Sequence, residues 1–370
     1  MTSVYIHIPF CERVCFYCDF PKKVSKTTEI NAYLDALLEE VKMYHPQEKI
    51  ETIYLGGGTP SILNQAQFDK LAKVIALFYK TDNYEFTIEC NPEHVNQRLV
   101  ENLHRLGINR ISLGVQTFNE SLLKILNRKH SCDMVYRVVD LLKKANFHNI
   151  NIDLMFAIPG QTLDDLKQDL RYIKALNIPH ISYYSLILED KTVFNQLVND
   201  EKLILIENDL EAKMYEIVIE TLKRNNYQHY EISNFAKNNY QSRHNLVYWN
   251  NKHYYGFGMG ASGYLNNIRY YNSNHVNHYL QLVNNHQFPV IKKDILNKNE
   301  QLKEAFLLGL RLIDGLSINE LNKTYNIDVR EYFQKELSYL VNNNWIEISE
   351  RIKLTHQGLF YGNEVFEKFL

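Results

Sequence analysis

The stretch VYIHIPFCERVCFYCDF, residues 4–20, decides the fold of this chain. Its β-branched and aromatic start, Val4–Ile8, predicts a short first strand, and three cysteines crowd into residues 11–18 directly after it. Three thiolates with the spacing Cys-x3-Cys-x2-Cys can ligate three irons of a [4Fe-4S] cubane, which leaves the fourth iron open for a small molecule. The stretch therefore predicts an open iron–sulfur centre on Cys11, Cys15 and Cys18.

A zinc site is the alternative interpretation of the cysteine cluster, with His7 or Cys90 as a fourth ligand. Zinc sites more often repeat a Cys-x2-Cys pair, and the sequence holds no second pair. A disulfide framework would need an even, dispersed set of cysteines in a short secreted chain, whereas this chain has 370 residues and five cysteines. The remaining cysteines, Cys90 and Cys132, are expected to be small core residues.

Composition narrows the classes of function. The formal net charge is only −2, so a broad basic surface is lacking and we expect no nucleic-acid partner. No apolar run approaches the roughly 18 residues of a membrane span, and residues 1–10 do not resemble a signal peptide. We therefore expect a cytoplasmic protein without a direct membrane anchor.

Strand-like and helix-like segments alternate through the first half of the chain. The predicted strands are Val4–Ile8, Ile53–Leu55, Tyr84–Glu89, Arg110–Val115, Ile150–Phe156 and His180–Leu186. Six successive βα units favour parallel strands joined by right-handed crossovers. Six units are fewer than the eight of a closed barrel. We therefore predict an α/β fold with an open, partial (β/α)6 barrel, and a flat doubly wound sheet is the alternative.

The pattern changes after about residue 190 and predicts three domains. Residues 1–190 form the partial barrel, residues 191–295 extend it, and residues 296–370 form a C-terminal domain. In the middle segment a long helix is predicted over Asp200–Asn225, and the Tyr-, Asn- and Gly-rich stretch Asn234–Ser273 predicts loops with short strands.

The C-terminal segment has a pattern of its own. The pattern over Lys298–Tyr325 predicts a helix, a short turn and a second helix. Within Val329–Leu370 it predicts a further helix, a hairpin and a last helix. The two strands of the hairpin are predicted at Trp345–Ile348 and Arg351–Leu354. This order indicates a helical, winged-helix-like domain.

Each predicted strand ends near a residue that can bind a small molecule, and the carboxyl ends of parallel strands meet at one edge of such a barrel. The second strand ends in the run GGGTP, where backbone without Cβ can approach a ligand closely. Asp153 lies inside an apolar strand, so we expect it to pair with Arg128 or with a ligand. The candidate binding residues are Tyr5, Gly57, Gly58, Thr59, Glu89, Gln116, Arg128, Asp153 and Ser185.

The cysteine motif, with the aromatic residue Tyr17 before its last cysteine, resembles the signature of the radical S-adenosylmethionine (SAM) superfamily. That resemblance implies a [4Fe-4S] cluster on the three cysteines, whose open iron takes the amino and carboxylate groups of SAM. It also implies that the glycine run receives the amino group of the methionine moiety and that the other strand-end candidates contact the cofactor. One electron from the reduced cluster would then cleave the sulfonium into methionine and a 5′-deoxyadenosyl radical.

Longer sequence motifs indicate which group of this superfamily the chain resembles. Tyr5–Cys11, the glycine run and Leu113–Phe118 resemble oxygen-independent coproporphyrinogen III oxidase and its relatives over nearly the whole chain. The oxidase carries a fourth cysteine two residues after the third, and this sequence has Phe20 there. The change disfavours the radical decarboxylation of coproporphyrinogen III in porphyrin biosynthesis, which stays the alternative function. A metal-stabilised binding module without cofactor chemistry is the third interpretation.

The string His244-Asn245-x-x-Tyr248-Trp249 is similar to the HNxxYW motif of the HemW family of heme chaperones. This resemblance implies that the chain binds heme and transfers it to an acceptor protein, for example in respiration. His244 can ligate heme iron axially, and Tyr248 and Trp249 offer flat surfaces for a porphyrin. Arg243 beside them can pair with a propionate. The sequence leaves open whether the chain forms a homodimer.

Overall fold

Six parallel strands form the centre of the sheet in the computed structural model, which describes residues 2–24 and 26–370. They are β1 Thr2–Ile8, β2 Ile50–Gly57, β3 Lys80–Cys90, β4 Arg110–Gln116, β5 Asn149–Phe156 and β6 His180–Ser185. Each strand lies beside the one that precedes it in the sequence, without the reversal of strand order that a doubly wound sheet requires. The predicted open, partial (β/α)6 barrel is therefore confirmed.

Helices connect these strands and cover the outer face of the barrel. They are α1 Thr27–Tyr44, α2 Gln65–Ile75, α3 Gln97–Leu106, α4 Glu120–Ile125, α5 Cys132–Lys144 and α6 Leu163–Leu176. Apolar residues on one face of the strands, such as Ile6 and Ile152, pack with the helices in one large core. On the opposite face Asn151 donates hydrogen bonds to Ser112 and Ser182, at 2.7 and 3.0 Å. Because side chains alternate along a strand, the same strands build the core and a polar barrel interior.

The middle segment extends both edges of this sheet. Its elements are α7 Val193–Asn199, α8 Asn208–Arg224, β7 Gln228–Glu231, β8 Asn234–Ala236, α9 Arg243–Trp249, β9 Tyr254–Phe257, β10 Ser262–Leu265, β11 Ile268–Asn272, α10 Val276–Asn284 and β12 Val290–Ile295. Strands β8 and β7 continue the sheet beyond β6, and β9 to β12 continue it beyond β1. Twelve strands of the described residues therefore share one sheet.

Two predictions for the middle segment are wrong in detail. The helix predicted over Asp200–Asn225 begins only at Asn208, because the left-handed backbone of Glu201, with a φ of 56°, turns the chain after α7. Leu203 then packs into a small apolar cluster instead of continuing a helix. The stretch Asn234–Ser273, predicted as loops with short strands, also contains helix α9.

The C-terminal segment folds around a core of its own, to which Phe306 and Leu340 belong. Its elements are α11 Lys298–Gly309, β13 Leu316–Ser317, α12 Ile318–Tyr325, α13 Val329–Tyr332, α14 Gln334–Asn342, β14 Ile346–Ile348, β15 Arg351–Leu354 and α15 Gly362–Glu367. The predicted helices and hairpin are confirmed, whereas the domain limits at residues 190 and 295 stay predictions.

Single turns of 3-10 helix follow β2, β3 and β15, at Pro60–Ile62, Pro92–His94 and Gly358–Tyr361. Within the described part of the chain, none of the helices combines the length and the apolar character that crossing a bilayer requires.

A buried carboxyl group on α1 bonds to the segment that contains β9 to β12. Glu40 is fully buried and accepts hydrogen bonds from the Gly258 amide, the Asn272 side-chain amide and the Tyr279 hydroxyl, at 2.8, 2.7 and 2.7 Å. Burial raises the pKa of Glu40 to about 7, and the hydrogen bonds oppose that rise. Nothing in the sequence pattern signals this role, because one glutamate among the charges of a helix looks like a solvated residue.

Replacing Glu40 by glutamine tests the cost of burying this carboxyl group. The folded pKa of about 7 exceeds the ordinary value of 4.5 for a glutamate side chain. The carboxyl group therefore contributes most to stability below pH 4.5, and this contribution is lost as the pH rises through 7. The glutamine variant has no such loss. As the pH rises from 4.5 to 7, the unfolding free energy of Glu40→Gln should therefore increase by about 3 kcal/mol relative to that of the wild type. Urea unfolding at a series of pH values measures the difference. Glu39→Gln, on the same helix and half exposed, is the control, and equal slopes in the two variants would contradict the assignment.

Candidate functional site

The cysteine loop follows β1 and is joined to the end of β2 by main-chain hydrogen bonds. The Gly58 amide donates to the Ile8 carbonyl, and the Thr59 amide donates to the Phe10 carbonyl, both at 2.8 Å. A Cβ on Gly58 would lie 2.7 Å from the Phe10 carbonyl oxygen, so only glycine permits this approach. The glycine run thus has a packing role in addition to any contact with a ligand.

The three loop cysteines are free thiols, and two of them lie beside hydrogen-bond donors. The Thr59 hydroxyl is 3.4 Å from Cys11 Sγ, and the Arg128 guanidinium is 3.6 Å from Cys15 Sγ. Burial raises the pKa of Cys11 to about 11 and also raises the pKa of Cys18. Their thiolate forms therefore need nearby positive charge, such as that of iron. The loop supplies three free thiols, which is the donor set that an open [4Fe-4S] cluster takes from a protein.

A hydrogen-bond chain leads from β1 to the far end of the cysteine loop. The Tyr5 hydroxyl is 3.0 Å from His7 Nδ1, and His7 Nε2 is 2.7 Å from the Pro21 carbonyl oxygen. Because a carbonyl oxygen only accepts, Nε2 carries the ring proton and Tyr5 donates to Nδ1. Burial lowers the pKa of His7 to about 4, so the ring is neutral at pH 7. These hydrogen bonds fix Tyr5 and the end of the cysteine loop relative to each other.

Glu89 joins the end of β3 to the glycine run. It accepts hydrogen bonds from the Tyr54 hydroxyl at 2.9 Å and from the Gly57 amide at 3.1 Å. Gly57 has a φ of 108°, which a residue with a Cβ rarely adopts. Burial, and then the charge of Asp153, raises the pKa of Glu89 to about 7. A carboxyl group near its pKa at neutral pH can either accept or donate a hydrogen bond to a ligand.

The expected pair between Asp153 and Arg128 is wrong. Asp153 accepts hydrogen bonds from the Ser112 hydroxyl at 2.9 Å and from the Asn151 side chain at 2.7 Å. Arg128 instead donates to the Asn91 side chain at 2.9 Å, beside the cysteine loop. The polar neighbours of Asp153 on β4 and β5 already satisfy the buried carboxyl group, so it needs no cation.

Two further candidates have partners within the protein. Gln116, with a left-handed φ of 69°, accepts a hydrogen bond from the Tyr184 hydroxyl at 2.9 Å. Ser185 donates to Glu211 of α8. Each side chain keeps further capacity for a ligand, the Gln116 amide nitrogen as a donor and the Ser185 hydroxyl oxygen as an acceptor.

Helix α9 carries the HNxxYW motif, and β3 fixes where this helix begins. Glu85 of β3 accepts hydrogen bonds from the amides of Arg243 and His244, at 3.1 and 3.0 Å, and the Ser242 hydroxyl accepts from the Asn245 amide at 3.3 Å. A helix leaves its first amides without partners, and a carboxylate at this end satisfies them and complements the helix dipole. The barrel interior therefore positions the motif directly.

The His244 ring is buried and has a partner at each nitrogen. Nδ1 lies 2.7 Å from Thr52 Oγ1, and Nε2 lies 2.8 Å from the Tyr248 hydroxyl. The Thr52 hydroxyl donates to Ser3 Oγ at 2.8 Å, so Nδ1 carries the ring proton and the Nε2 lone pair accepts from Tyr248. Burial, and then the charge of Arg110, lowers the pKa of His244 to about 3. The ring is therefore neutral, which is the form that ligates a metal.

A cavity of about 610 Å³ lies between the barrel, α9 and the C-terminal domain, and its volume is in the range of protein ligand pockets. Glu89 borders it from the strand ends, and Leu307 and Leu308 of α11 border it from the C-terminal domain. The aromatic residues of its wall are Tyr5, Phe20, Tyr54, Tyr248, Trp249, Tyr254 and Tyr271. One cavity thus connects the strand ends with the HNxxYW motif.

The structure brings some of the predicted residues to this cavity and leaves others outside. Those in its wall are Tyr5, Gly57, Glu89 and His244. Gly58, Thr59 and Arg128 lie beside the cysteine loop instead. Arg243 is not in this wall and directs its guanidinium to the Asn83 carbonyl, so its contact with a heme propionate stays a prediction.

Several residues of the site escaped the sequence-based prediction. Thr52 and Tyr54 alternate with Gly56 on β2, so the strand period of two residues signals that all three face the barrel interior. Lys252, Arg269 and Glu304 also line the cavity, and the Arg269 guanidinium pairs with Glu304 at 2.6 Å. These three come from separate segments, and no sequence signal links them.

The fold and the cysteine loop define the class of protein. The model of the radical SAM superfamily matches residues 5–173, and that of the HemN C-terminal domain matches residues 296–361. The structure of coproporphyrinogen III oxidase (HemN) from Escherichia coli, a radical SAM enzyme, has a TM-score of 0.87 with this chain at 22% identity, covering 100% of this chain and 89% of HemN. The chain has the radical SAM fold, and this class implies a [4Fe-4S] cluster and SAM as cofactors.

Relatives of similar length then identify the family. The heme chaperone HemW of Lactococcus lactis subsp. lactis is 42% identical, covering 100% of this chain and 97% of that protein. The heme chaperone HemW of Bacillus subtilis is 40% identical, with coverages of 100% and 99%. The chain belongs to the HemW family of radical SAM proteins.

Substitution of Cys15 tests the assignment of the cluster ligands. In anaerobically prepared Cys15→Ser the visible iron–sulfur absorbance and the bound iron and sulfide should be lost, because a serine hydroxyl at this site does not supply a thiolate. Cys132→Ser, at the first residue of α5, is the matched control and should keep all three signals. Full iron and sulfide content in Cys15→Ser would contradict the assignment.

Proposed function

We propose that this protein is a heme chaperone, which binds heme in the 610 Å³ cavity and passes it to an acceptor protein. The position of the HNxxYW motif carries this proposal, since His244, Tyr248 and Trp249 line an aromatic cavity of ligand size. Aromatic walls suit a porphyrin because the macrocycle is flat and apolar over most of its surface. The names of the full-length relatives, heme chaperone HemW, support the same function.

His244 is the proposed axial ligand of the heme iron. Its ring is neutral, and its Nε2 lone pair accepts one hydrogen bond, from Tyr248 at 2.8 Å. Movement of the Tyr248 hydroxyl would free this nitrogen for iron, and its return would compete with iron for the same lone pair. Ligation that exchanges with a hydrogen bond suits a protein that must release its cargo.

Lys252 and Arg269 are the proposed partners of the two heme propionates, because they are the basic side chains in the cavity wall. Lys252 is exposed and directly follows the motif helix. The Arg269 guanidinium lies 4.4 Å from the centre of the Tyr264 ring and pairs with Glu304 of α11. A propionate can therefore replace or share the present carboxylate partner of Arg269.

The cluster and SAM occupy the other end of the site in this proposal. Cys11, Cys15 and Cys18 hold the cluster, and bound SAM supplies a sulfonium that the cluster can reduce. Glu89 would accept hydrogen bonds from the ribose hydroxyls or the amino group, beside the backbone of the glycine run. The remaining proposed contacts are Tyr5, Gly57, Gly58, Thr59, Gln116, Arg128, Asp153 and Ser185, of which Tyr5 and Gly57 share the cavity with Glu89.

The proposed partners follow from this function. They are heme, a heme-accepting protein such as one of respiration, and a second copy of the chain, all in the cytoplasm. The near-neutral net charge of −2 gives no reason to add a nucleic acid to these partners.

Radical decarboxylation of coproporphyrinogen III is the second candidate, favoured by the fold that the chain shares with HemN. An identity of 22% supports the fold alone. Phe20 stands where the resemblance expects a fourth cysteine, and a phenyl ring offers neither a thiol nor a titratable group in its place. Heme transport therefore ranks first.

Substitutions on α9 separate the proposed ligand from its competitor. His244→Ala should lower heme affinity at least about tenfold and shift the Soret band, because the axial nitrogen is removed. Tyr248→Phe keeps the ring but removes the hydroxyl that holds Nε2, so heme affinity should stay equal or rise. Difference spectra during heme titration measure both effects, with the exposed His148→Ala as control.

Two outcomes would contradict the heme-chaperone proposal. One is equal heme binding in wild type and His244→Ala, which would place heme elsewhere. The other is efficient conversion of coproporphyrinogen III to protoporphyrinogen IX by the anaerobic protein with SAM and a reductant, which would put the oxidase first.

Heme dimethyl ester tests the propionate contacts, because it keeps the macrocycle and iron but lacks the two negative charges. A Lys252→Ala, Arg269→Gln double variant should bind heme about tenfold more weakly than wild type and bind the ester equally well. The same titrations provide the measurement, and Lys293→Ala, an exposed lysine of β12 outside the cavity wall, is the control. An equal loss for heme and for its ester would indicate that the two residues act by shaping the cavity.

A further inference from the structure

Phe20 is a large apolar side chain that the protein leaves exposed. Its relative accessibility is 59%, and it lines the 610 Å³ cavity two residues after the last loop cysteine. The other two aromatic residues of the loop, Phe16 and Tyr17, pack into the apolar cluster around Phe194. Because this exposed ring borders a cavity of ligand size, it is open to contact with a ligand that fills the cavity.

The exposure of Phe20 is not the result of a loop without anchors. On one side the Cys18 amide donates to the Cys15 carbonyl at 3.3 Å, and on the other His7 Nε2 donates to the Pro21 carbonyl at 2.7 Å. The Lys23 amide then donates to the Pro9 carbonyl at 2.7 Å, which closes the loop back onto the end of β1. The backbone on both sides of Phe20 is therefore held, and its side chain lines the cavity from a tethered loop.

The other walls of the cavity indicate the shape of the ligand that Phe20 meets. Trp249 and Tyr248 come from α9, Tyr54 comes from β2, and Tyr271 comes from β11, so flat rings border the same space from several elements. Tyrosine and tryptophan carry polar groups that can meet solvent or a hydrogen-bond partner, whereas a phenyl ring gains only from apolar contact and stacking. A broad planar ligand satisfies these walls together.

We propose that Phe20 forms one face of the porphyrin site and stacks on the macrocycle bound in this cavity, so that the residue replacing the fourth cysteine is a specificity-determining contact for heme. This inference rests on the proposed function and extends it to the cysteine loop. The comparison with the oxidase motif says only that position 20 lacks a thiol. The inference adds that the phenyl ring at this position contacts heme.

A series of substitutions at position 20 tests the stacking. Phe20→Ala should raise the Kd for heme about tenfold, because both apolar contact and stacking are lost. Phe20→Leu, which keeps apolar volume without a ring, should fall between alanine and wild type, and Phe20→Trp should bind within about threefold of wild type. Heme titrations of anaerobic, cluster-loaded protein, read as Soret difference spectra against heme-free samples, provide the Kd.

A matched control and a second ligand separate this inference from its alternatives. Phe288→Ala makes the same chemical change at a half-exposed phenylalanine outside the cavity wall and should leave the Kd for heme unchanged. Equilibrium dialysis with SAM, together with iron and sulfide content, should give equal values for wild type and Phe20→Ala. Weaker SAM binding with an unchanged heme Kd would overturn the proposal and identify Phe20 as a nucleoside contact.

The outcomes also distinguish this inference from the proposed function. If His244→Ala weakens heme binding and Phe20→Ala does not, the heme chaperone proposal stands and the stacking role of Phe20 is wrong. If wild type itself binds no heme, both are wrong. A loss of iron and sulfide in Phe20→Ala with normal heme affinity would show that the residue supports the cluster loop rather than the porphyrin.

Discussion

Two main-chain hydrogen bonds, from Gly58 to Ile8 and from Thr59 to Phe10, join the end of β2 to the cysteine loop at 2.8 Å each. They form only because Gly58 has no Cβ, which would otherwise meet the Phe10 carbonyl oxygen at 2.7 Å. The same approach carries the Thr59 hydroxyl to Cys11. The cysteine loop and the glycine run are therefore held together as one structural unit.

The polar interior of the barrel gives the motif helix its place in the same way. Glu85 accepts hydrogen bonds from the first amides of α9, and Thr52 meets Nδ1 of His244. The strands that hold the cysteine loop at one end thus also hold the HNxxYW motif. For this reason a single cavity reaches from Glu89 to Trp249, and the proposed cofactor and cargo sites share walls.

Burial keeps several ionisable groups of this region neutral or close to their pKa. The imidazoles of His7 and His244 have lowered pKa values of about 4 and about 3, and the pKa of Glu89 is raised to about 7. Desolvation is the largest cause in each case, so the site accepts a cost in folding free energy. In return it holds an uncharged imidazole and a carboxyl group that can exchange its proton near neutral pH. Both properties suit the reversible binding of a metal-containing cargo.

The sequence by itself determined the barrel and predicted the cysteine loop as a cluster site. The alternation of βα units predicts parallel strands, and the spacing of Cys11, Cys15 and Cys18 predicts an open cluster site, because both signals lie within short stretches of chain. The HNxxYW string likewise identifies the candidate residues of α9 without their tertiary environment. Local periodicity and local spacing therefore carried the fold class and the prediction of the cluster site.

Only the tertiary structure decided which side chains meet. It separated Asp153 from Arg128, turned Arg243 away from the cavity, and brought Lys252, Arg269 and Glu304 to a common wall. It also buried His244 with a partner at each nitrogen, which no motif records. These contacts join residues that are far apart in the chain, and their distances are set by how strands and helices pack, so a pattern that spans a few neighbouring residues does not contain them.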